Sequence, residues 1–495
     1  MQYVSTRNGN LRLQASEAIV MGLSRDGGLF LPETIPQLAP DALEKLAEMN
    51  YQQRAAAIMK QFLPDFTEEE LAGFAAKAYA VPGKFDHKDV APVVKLDDQT
   101  HILELWHGPT SAFKDMALQM LPYLLTASLE KTGEEKTVCI LVATSGDTGK
   151  AALEGFRDVP KTKILVFYPK DGVSDIQKLQ MATQAGENVG VCAVVGNFDD
   201  AQSGVKKIFS DEQLRQQLAE NGYFLSSANS INWGRVLPQL AYYISAYCDL
   251  VKNGSIHAGD PVNICVPTGN FGNILAAYYT RCMGLPIAKL ICASNANNVL
   301  TDFIETGVYD KNRPFYTTSS PSMDILISSN LERLLYLLTG SDAAVRGYME
   351  QLNTTGRYEV TPELKQKIQA VFSAGCCDDQ GTAETIAKMY QKYGYLMDTH
   401  TAVAWKVMED YRAKTGDMTP TVVASTASPF KFCGSVLEAL GETKLAAGTE
   451  ILDQLTAKTG KTAPAPLAGL KGKTVRFTQS VEKSEMSEVV KEMLR

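Results

Sequence analysis

The chain has 495 residues, 45% hydrophobic and 21% charged, an ordinary globular balance that argues against a disordered chain or a coiled coil. Its 48 Lys and Arg against 56 Asp and Glu leave a formal net charge of −8, and a pI near 5.4 argues against a nucleic-acid partner held by a basic face. A chain of this length suggests about three domains or large subdomains.

The opening residues lack a basic stretch followed by a hydrophobic one, so no signal peptide is expected. Helical spacing runs over 40–50 and 67–80, the second begun by Thr67 with Glu70 three residues on, a capping-box signature. The first hundred residues therefore read as short helices joined by turns. From Val138 the texture changes. Buried-strand-like runs at 138–143, 164–168, 189–195, 262–266, 289–293 and 421–424 alternate with helix-length segments such as 199–221 and 235–252. That alternation predicts βαβ units and parallel sheets covered on both faces. Residues 253–260 form a polar connection, and 460–466 a loop rich in Gly, Pro and Ala. No apolar run nears the roughly 18–20 residues of a membrane helix, so no membrane partner is expected. Nine cysteines without a CxxC predict reduced, mostly buried thiols in a cytoplasmic protein, and five histidines without paired Cys/His spacing predict no metal site.

Ligands of open α/β sheets bind beyond the carboxyl ends of strands, so the loops after these strands are where chemistry is sought. The first such segment, Leu105-Trp-His-Gly-Pro-Thr-Ser-Ala-Phe-Lys114-Asp115, puts Lys114 at the start of helical spacing that runs to Leu125, behind apolar Ala112 and Phe113. A helix start disfavours a cation, and partial desolvation also lowers a lysine pKa, as an imine-forming amine requires. A solvated surface lysine is the common alternative. The second, Ala143-Thr-Ser145-Gly-Asp147-Thr148-Gly149, is a strand–loop–helix whose small residues and free N–H groups suit a carboxylate or phosphate, with Ser145 as a plain N-cap the alternative. It lacks the spacing of a Walker A loop. In the third, Pro267-Thr-Gly269-Asn270-Phe271-Gly272-Asn273, two glycines three apart are too few for a dinucleotide fingerprint and suit a nest for one phosphomonoester. The fourth, Ala424-Ser-Thr426-Ala-Ser428-Pro-Phe430-Lys-Phe432, ends a buried strand in hydroxyl residues that alone read as turn formers. Together the four are the parts that hold pyridoxal 5′-phosphate and an amino-acid substrate.

With these motifs the chain resembles the threonine synthase family of fold-type II pyridoxal-phosphate enzymes over nearly its whole length. The resemblance extends to Tyr3-Val-Ser-Thr-Arg7, Ser24-Arg-Asp-Gly-Gly-Leu-Phe30, Asn229-Ser-Ile-Asn232-Trp-Gly-Arg235, Ser320-Pro-Ser-Met-Asp324, Ser328-Ser-Asn330-Leu-Glu-Arg333 and Asp398-Thr-His400-Thr-Ala-Val403. It implies an α/β fold: two open, mostly parallel α/β domains of the fold-type II kind plus an N-terminal, mainly helical domain. The expected division is 1–95 for the N-terminal domain, 96–135 with 230–495 for the large cofactor domain, and 136–229 for the small one. It further implies that Lys114 carries the cofactor as a Schiff base, that Gly269, Asn270, Phe271, Gly272 and Asn273 hold its phosphate, and that Thr426 faces the pyridine nitrogen. Ser145, Asp147 and Thr148 are expected at the substrate carboxylate and the cofactor 3′-oxygen, and Asn232, Arg235, Asn330 and Arg333 at a substrate phosphate. Many relatives have His and Ala where this chain has Ser428 and Phe430, so any role of that histidine is lost here. The implied reaction turns O-phospho-L-homoserine and water into L-threonine and phosphate, in a monomer or homodimer. The chain lacks the long N-terminal extension of plant relatives controlled by S-adenosylmethionine, so no such control is expected. A related lyase or dehydratase releasing a 2-oxo acid, an inactive cofactor-binding regulatory protein and a nucleotide-dependent enzyme are the competing readings.

Overall fold

The computed structural model describes residues 1–170 and 173–494. Strand-to-strand pairing divides its α/β part between two sheets. The larger has the order Phe372–Cys376, Ile287–Ser294, Val262–Pro267, Thr421–Ser425, Thr100–Glu104, Val93–Lys95; every pairing is parallel except the last, an antiparallel edge. The smaller has the order Ser480–Val481, Val189–Val194, Thr162–Pro169, Thr137–Ala143, Tyr223–Ser226, all parallel. Strands such as Val262–Pro267 are buried along their whole length, as a sheet with helices on both faces requires.

The expected strands are all present, and three unforeseen ones, the short edge strand Val93–Lys95, Thr100–Glu104 and Phe372–Cys376, complete the large sheet. Thr100–Glu104 is a central strand begun by polar residues, and Phe372–Cys376 (FSAGC) lacks β-branched residues. Small residues suit the second, because a Cβ on Gly375 would lie 2.9 Å from Val407 Cγ1 of the covering helix Thr399–Thr415. The helices need more correction. The span 199–221 is two helices, Phe198–Ser210 and Glu212–Glu220, divided at Asp211, whose side chain accepts from Leu214 N–H and restarts the helix. The span 235–252 begins earlier, at Trp233–Val236, then breaks at Pro238 before Gln239–Lys252. The helical span from Lys114 likewise divides into Asp115–Leu118 and Leu121–Thr132. Helical spacing at 40–50 resolves into Ala42–Ala47, and Asn50 with Gln53 caps a further helix, Tyr51–Phe62. Thr67 and Glu70 form the expected capping box on Glu68–Ala78.

The N-terminal region adds a three-stranded antiparallel sheet, Asn8–Leu13, Tyr3–Ser5, Phe30–Pro32, to its helices. Trp233 joins it to the rest: its ring lies 5.7 Å from Tyr3 and 5.8 Å from Phe62. The chain end also departs from the expected division. Ser480–Val481 pairs with Ala193 and Val194, and helix Met486–Met493 buries Met486, Val489 and Val490 on the smaller sheet, so this end lies with 136–229 and not with the large sheet.

Candidate active site

Parallel strands deliver their following loops to one edge of a sheet. Those after Thr100–Glu104, Val262–Pro267 and Thr421–Ser425 therefore meet, and Val262–Pro267 is where the strand order changes direction. Phe113 N–H donates to Thr426 O at 2.8 Å, Ser428 N–H to Ser111 O at 3.0 Å, and Ala112 bridges Ala427. This zipper sets Thr426, itself buried, beside the backbone at Lys114. Gly108 is required because a Cβ there would lie 2.6 Å from Asp115 Oδ2. Asp115 accepts from the N–H and hydroxyl of Thr110 at 2.8 and 2.7 Å, and burial pushes its carboxyl up to about 6.

Lys114 is the buried N-cap of Asp115–Leu118. Its Nζ donates to Ser322 Oγ at 3.1 Å and lies 4.0 Å from Asp147 Oδ2. Burial lowers its pKa to about 8; Asp147 opposes the fall, and Arg235 and Lys431 add to it. A lysine so tuned supplies neutral amine near neutral pH.

The Gly269–Asn273 loop is a donor nest. Phe271 sits at φ 63° as the cap of helix Gly272–Cys282, and among the described residues no protein acceptor meets the N–H groups of residues 269–273. Gly269 lies under the loop of Ser322, where a Cβ would come 2.6 Å from that residue's carbonyl oxygen. Tyr242 and Tyr243 hydroxyls donate to Asn273 Oδ1 at 2.6 and 2.5 Å, leaving its buried Nδ2 without a partner among the described residues. Such a run of donors at a helix start fits one phosphate group.

The second loop faces it from the smaller sheet, after Thr137–Ala143. Thr144 Oγ1 accepts from Gly146 and Gly149 N–H, both at 2.9 Å, and Gly146 takes φ 131°, where a Cβ would lie 2.5 Å from Gln177. Among the described residues the N–H groups of Ser145, Asp147 and Thr148 meet no acceptor, which suits a carboxylate. The Asp147 side chain does something else. Its buried carboxylate accepts from Lys431 Nζ at 2.8 Å and Gln177 Nε2 at 2.9 Å. Burial would raise its pKa, but Lys431 and Lys114 outweigh that and hold the carboxyl well below the usual range. The expectation that Asp147 meets a substrate carboxylate is thus narrowed to its N–H.

Among the described residues, the four expected at a substrate phosphate separate into one cation without an acidic partner and three supports. Arg235 is buried, donates to Ala228 O at 2.8 Å, and has no carboxylate partner among the described residues; burial draws its pKa down to about 10. Asn232 is instead the cap of Trp233–Val236, accepting from Gly234 N–H at 2.9 Å and donating to Ile19 O at 3.0 Å. Asn330 donates through both its N–H (3.1 Å) and its amide (3.0 Å) to Asn270 O, bracing the nest. Arg333 is fully buried, donating to Phe30 O at 2.9 Å, Ile231 O at 2.6 Å, Ser230 O at 3.4 Å and Asn330 Oδ1, so its guanidinium is used in holding loops together. Ser428, in place of the usual histidine, caps the turn Pro429–Phe432.

Three residues here carried no role in the sequence reading. Lys431 is fully buried and also donates to Thr110 O at 2.9 Å; its signal was a lysine between Phe430 and Phe432. Ser322 and His400 lie in motifs noted for resemblance alone.

A lowered-pKa lysine between a phosphate-sized nest and a second anion loop, at the carboxyl ends of two parallel sheets, is the arrangement of a pyridoxal-phosphate enzyme. Residues 90–426 match the family model of the pyridoxal-phosphate dependent enzyme, and the chain is one, with pyridoxal 5′-phosphate as its cofactor. The flanks narrow the class. Residues 2–79 match the threonine synthase N terminus and 401–493 the threonine synthase C-terminal model. Threonine synthase of Pseudomonas aeruginosa is 38% identical over 440 residues, 89% of this chain and 90% of that one. The crystal structure of PLP-bound threonine synthase from Brucella melitensis superposes with a TM-score of 0.88 at 37% identity over 100% of both chains. The chain therefore belongs to the threonine synthase family. Threonine synthase-like 1 of Homo sapiens is 42% identical over 436 residues, 86% of this chain but 58% of that protein, so the chain spans little more than half of such relatives. Among the described residues no helix is long and apolar enough to cross a membrane.

Proposed function

We propose that the protein converts O-phospho-L-homoserine and water into L-threonine and phosphate. The observation that carries this reading is Arg235: a buried cation beside Lys114 that has no carboxylate partner among the described residues. A second phosphate, on the substrate, is the partner it lacks, and a guanidinium suits one. On this reading the nest and Asn273 hold the cofactor phosphate, Thr426 faces the ring nitrogen, and Lys114 is the amine that joins the cofactor. Ser145, Asp147 and Thr148 N–H groups take the substrate carboxylate. Asn330 and Arg333 position the nest and the Arg235 segment, and Asn232 caps it. The cofactor, when bound, supplies an electron sink for charge developing on substrate carbons. Lys114 Nζ then takes the α proton and next a β proton as phosphate leaves the γ carbon, and returns protons to the γ and α carbons as water adds at the β carbon. The working units are residues 1–90, the large-sheet unit, and a small unit of 136–229 joined by 477–494.

Incubation of the purified protein with O-phospho-L-homoserine and pyridoxal 5′-phosphate tests the reading. Threonine and phosphate are expected in equal amounts. Phosphate with 2-oxobutyrate and no threonine would replace it with the 2-oxo-acid lyase reading. Lys114→Ala is expected to lose the visible absorption of the bound cofactor and to lower activity by at least about a thousandfold.

A further inference from the structure

Ser322 joins four features of the site. Its Oγ accepts from Lys114 Nζ at 3.1 Å and donates to Asp147 Oδ2 at 3.4 Å, across the gap between the two α/β units. Its carbonyl oxygen packs over Gly269 of the nest. Its N–H donates to His400 Nε2 at 3.2 Å, and His400 Nδ1 lies 2.7 Å from Asp398 Oδ2. Both His400 and Asp398 are buried, and Asp398 in turn caps helix Thr399–Thr415. Because Nε2 accepts, the ring proton is on Nδ1 and points at the carboxylate. Asp324, accepting from Thr318 N–H at 3.0 Å and from Asn295 and Asn297 at 2.8 and 3.0 Å, braces the same loop from the other side. A serine on an ordinary turn needs no such support.

The direction of these bonds has a chemical consequence. Asp147 is held ionised by Lys431 and accepts only. Ser322 therefore spends its single proton on Asp147 and offers Lys114 only lone pairs. A neutral amine has two N–H bonds and one lone pair, so an acceptor at Ser322 takes an N–H and leaves the lone pair free. A donor in that place would cap the lone pair. We propose that Ser322 is a further catalytic residue, its hydroxyl oriented by Asp147 so that the Lys114 lone pair faces the reacting carbon, and that Asp398 and His400 are its positioning residues. This rests on Lys114 being the amine that joins the cofactor. The charged groups facing Lys114 are Asp147 from helix Asp147–Phe156, Arg235 from Trp233–Val236 and Lys431 from Pro429–Phe432, with the Phe113 ring 5.7 Å away.

The test follows bond formation between full-length apoprotein and pyridoxal 5′-phosphate from neutral to alkaline pH, by absorbance, with borohydride trapping to locate the adduct. The limiting alkaline rate is expected to fall about tenfold in Ser322→Ala and in the near-isosteric Ser322→Cys, and to stay within about threefold in Ser322→Thr, which keeps the hydroxyl. The midpoint of the rate's rise is expected to move to lower pH in the first two, because losing an acceptor disfavours the charged amine. His400→Ala is expected to move rate and midpoint the same way, whereas a merely structural histidine would lower the melting temperature alone. A wild type that traps cofactor on Lys114 while Ser322→Ala and Ser322→Cys match its limiting rate overturns the role of Ser322 only. A wild type that traps none on Lys114 overturns the functional reading and this inference with it.

Discussion

The Gly269–Asn273 nest offers an anion backbone N–H groups and one neutral side-chain amide, whereas the space around Lys114 is built from side-chain charges drawn from separate elements. In the nest, consecutive N–H groups, one left-handed Phe271 and a helix start make the whole device within five residues. Around Lys114, one carboxylate is set against three cations: Asp147 comes from the smaller sheet, Lys431 and Arg235 from elsewhere in the chain. The first is insensitive to pH and tolerant of sequence except where a Cβ would intrude. The second depends on each charge keeping its partner, since an uncompensated buried charge is costly. A protein of net charge −8 thus presents a site with its own, positive balance.

Removing a partner should break the charged region most. Lys431→Met leaves Asp147 buried without its nearest cation and is expected to cost about 3 kcal/mol of stability, read as a fall in melting temperature. An unchanged melting temperature would mean that water reaches the pair. In the nest, Gly269→Ala forces a Cβ against the Ser322 carbonyl and is expected to weaken cofactor affinity about 30-fold, or about 2 kcal/mol, by titration of the apoprotein. Arg235→Ala sharpens the contrast: KM for the phosphorylated substrate is expected to rise about tenfold or more while cofactor affinity changes little. Equal losses in both would place Arg235 with the nest.

The smallest effect lies at the root of the Lys114 loop. His107 sits between Asp86 Oδ1 at 2.6 Å and Glu104 Oε2 at 2.8 Å. Burial would lower its pKa, but the two carboxylates outweigh it and raise it from 6.5 to about 9. A raised folded-state pKa contributes stability that is fully present below about 6.5 and is lost as pH rises toward about 9. Melting temperature is therefore expected to fall over that window, and His107→Gln to flatten the fall. A wild type equally stable at both ends would show that solvent screens the triad.

These differences follow what was legible beforehand. The nest, the Ser145–Thr148 loop and the basicity of Lys114 could be read from contiguous residues, because turn chemistry and helix starts are local. The capping boxes at Thr67 and the strands at 138–143 or 262–266 were legible for the same reason. Asn232 and Arg333 read as phosphate ligands on residue type, which suits that role and a structural one equally well; only their partners, Gly234, Ile19, Phe30 and Ile231, show a cap and a clamp. Phe372–Cys376 was missed because its small residues answer to Val407 on a distant helix rather than to strand propensity.

The sequence by itself determined the alternation of strands and helices, the two small-residue loops that open into helices and the lysine between them, since each depends on neighbours a few residues apart. The tertiary structure decided which charges meet. Asp147 and Lys431 are 284 residues apart in the chain and 2.8 Å apart in space, and Ser322 reaches Lys114 and His400 only because parallel strands send their loops to one edge. Electrostatic and hydrogen-bond energies depend on distance and burial, which no local pattern encodes.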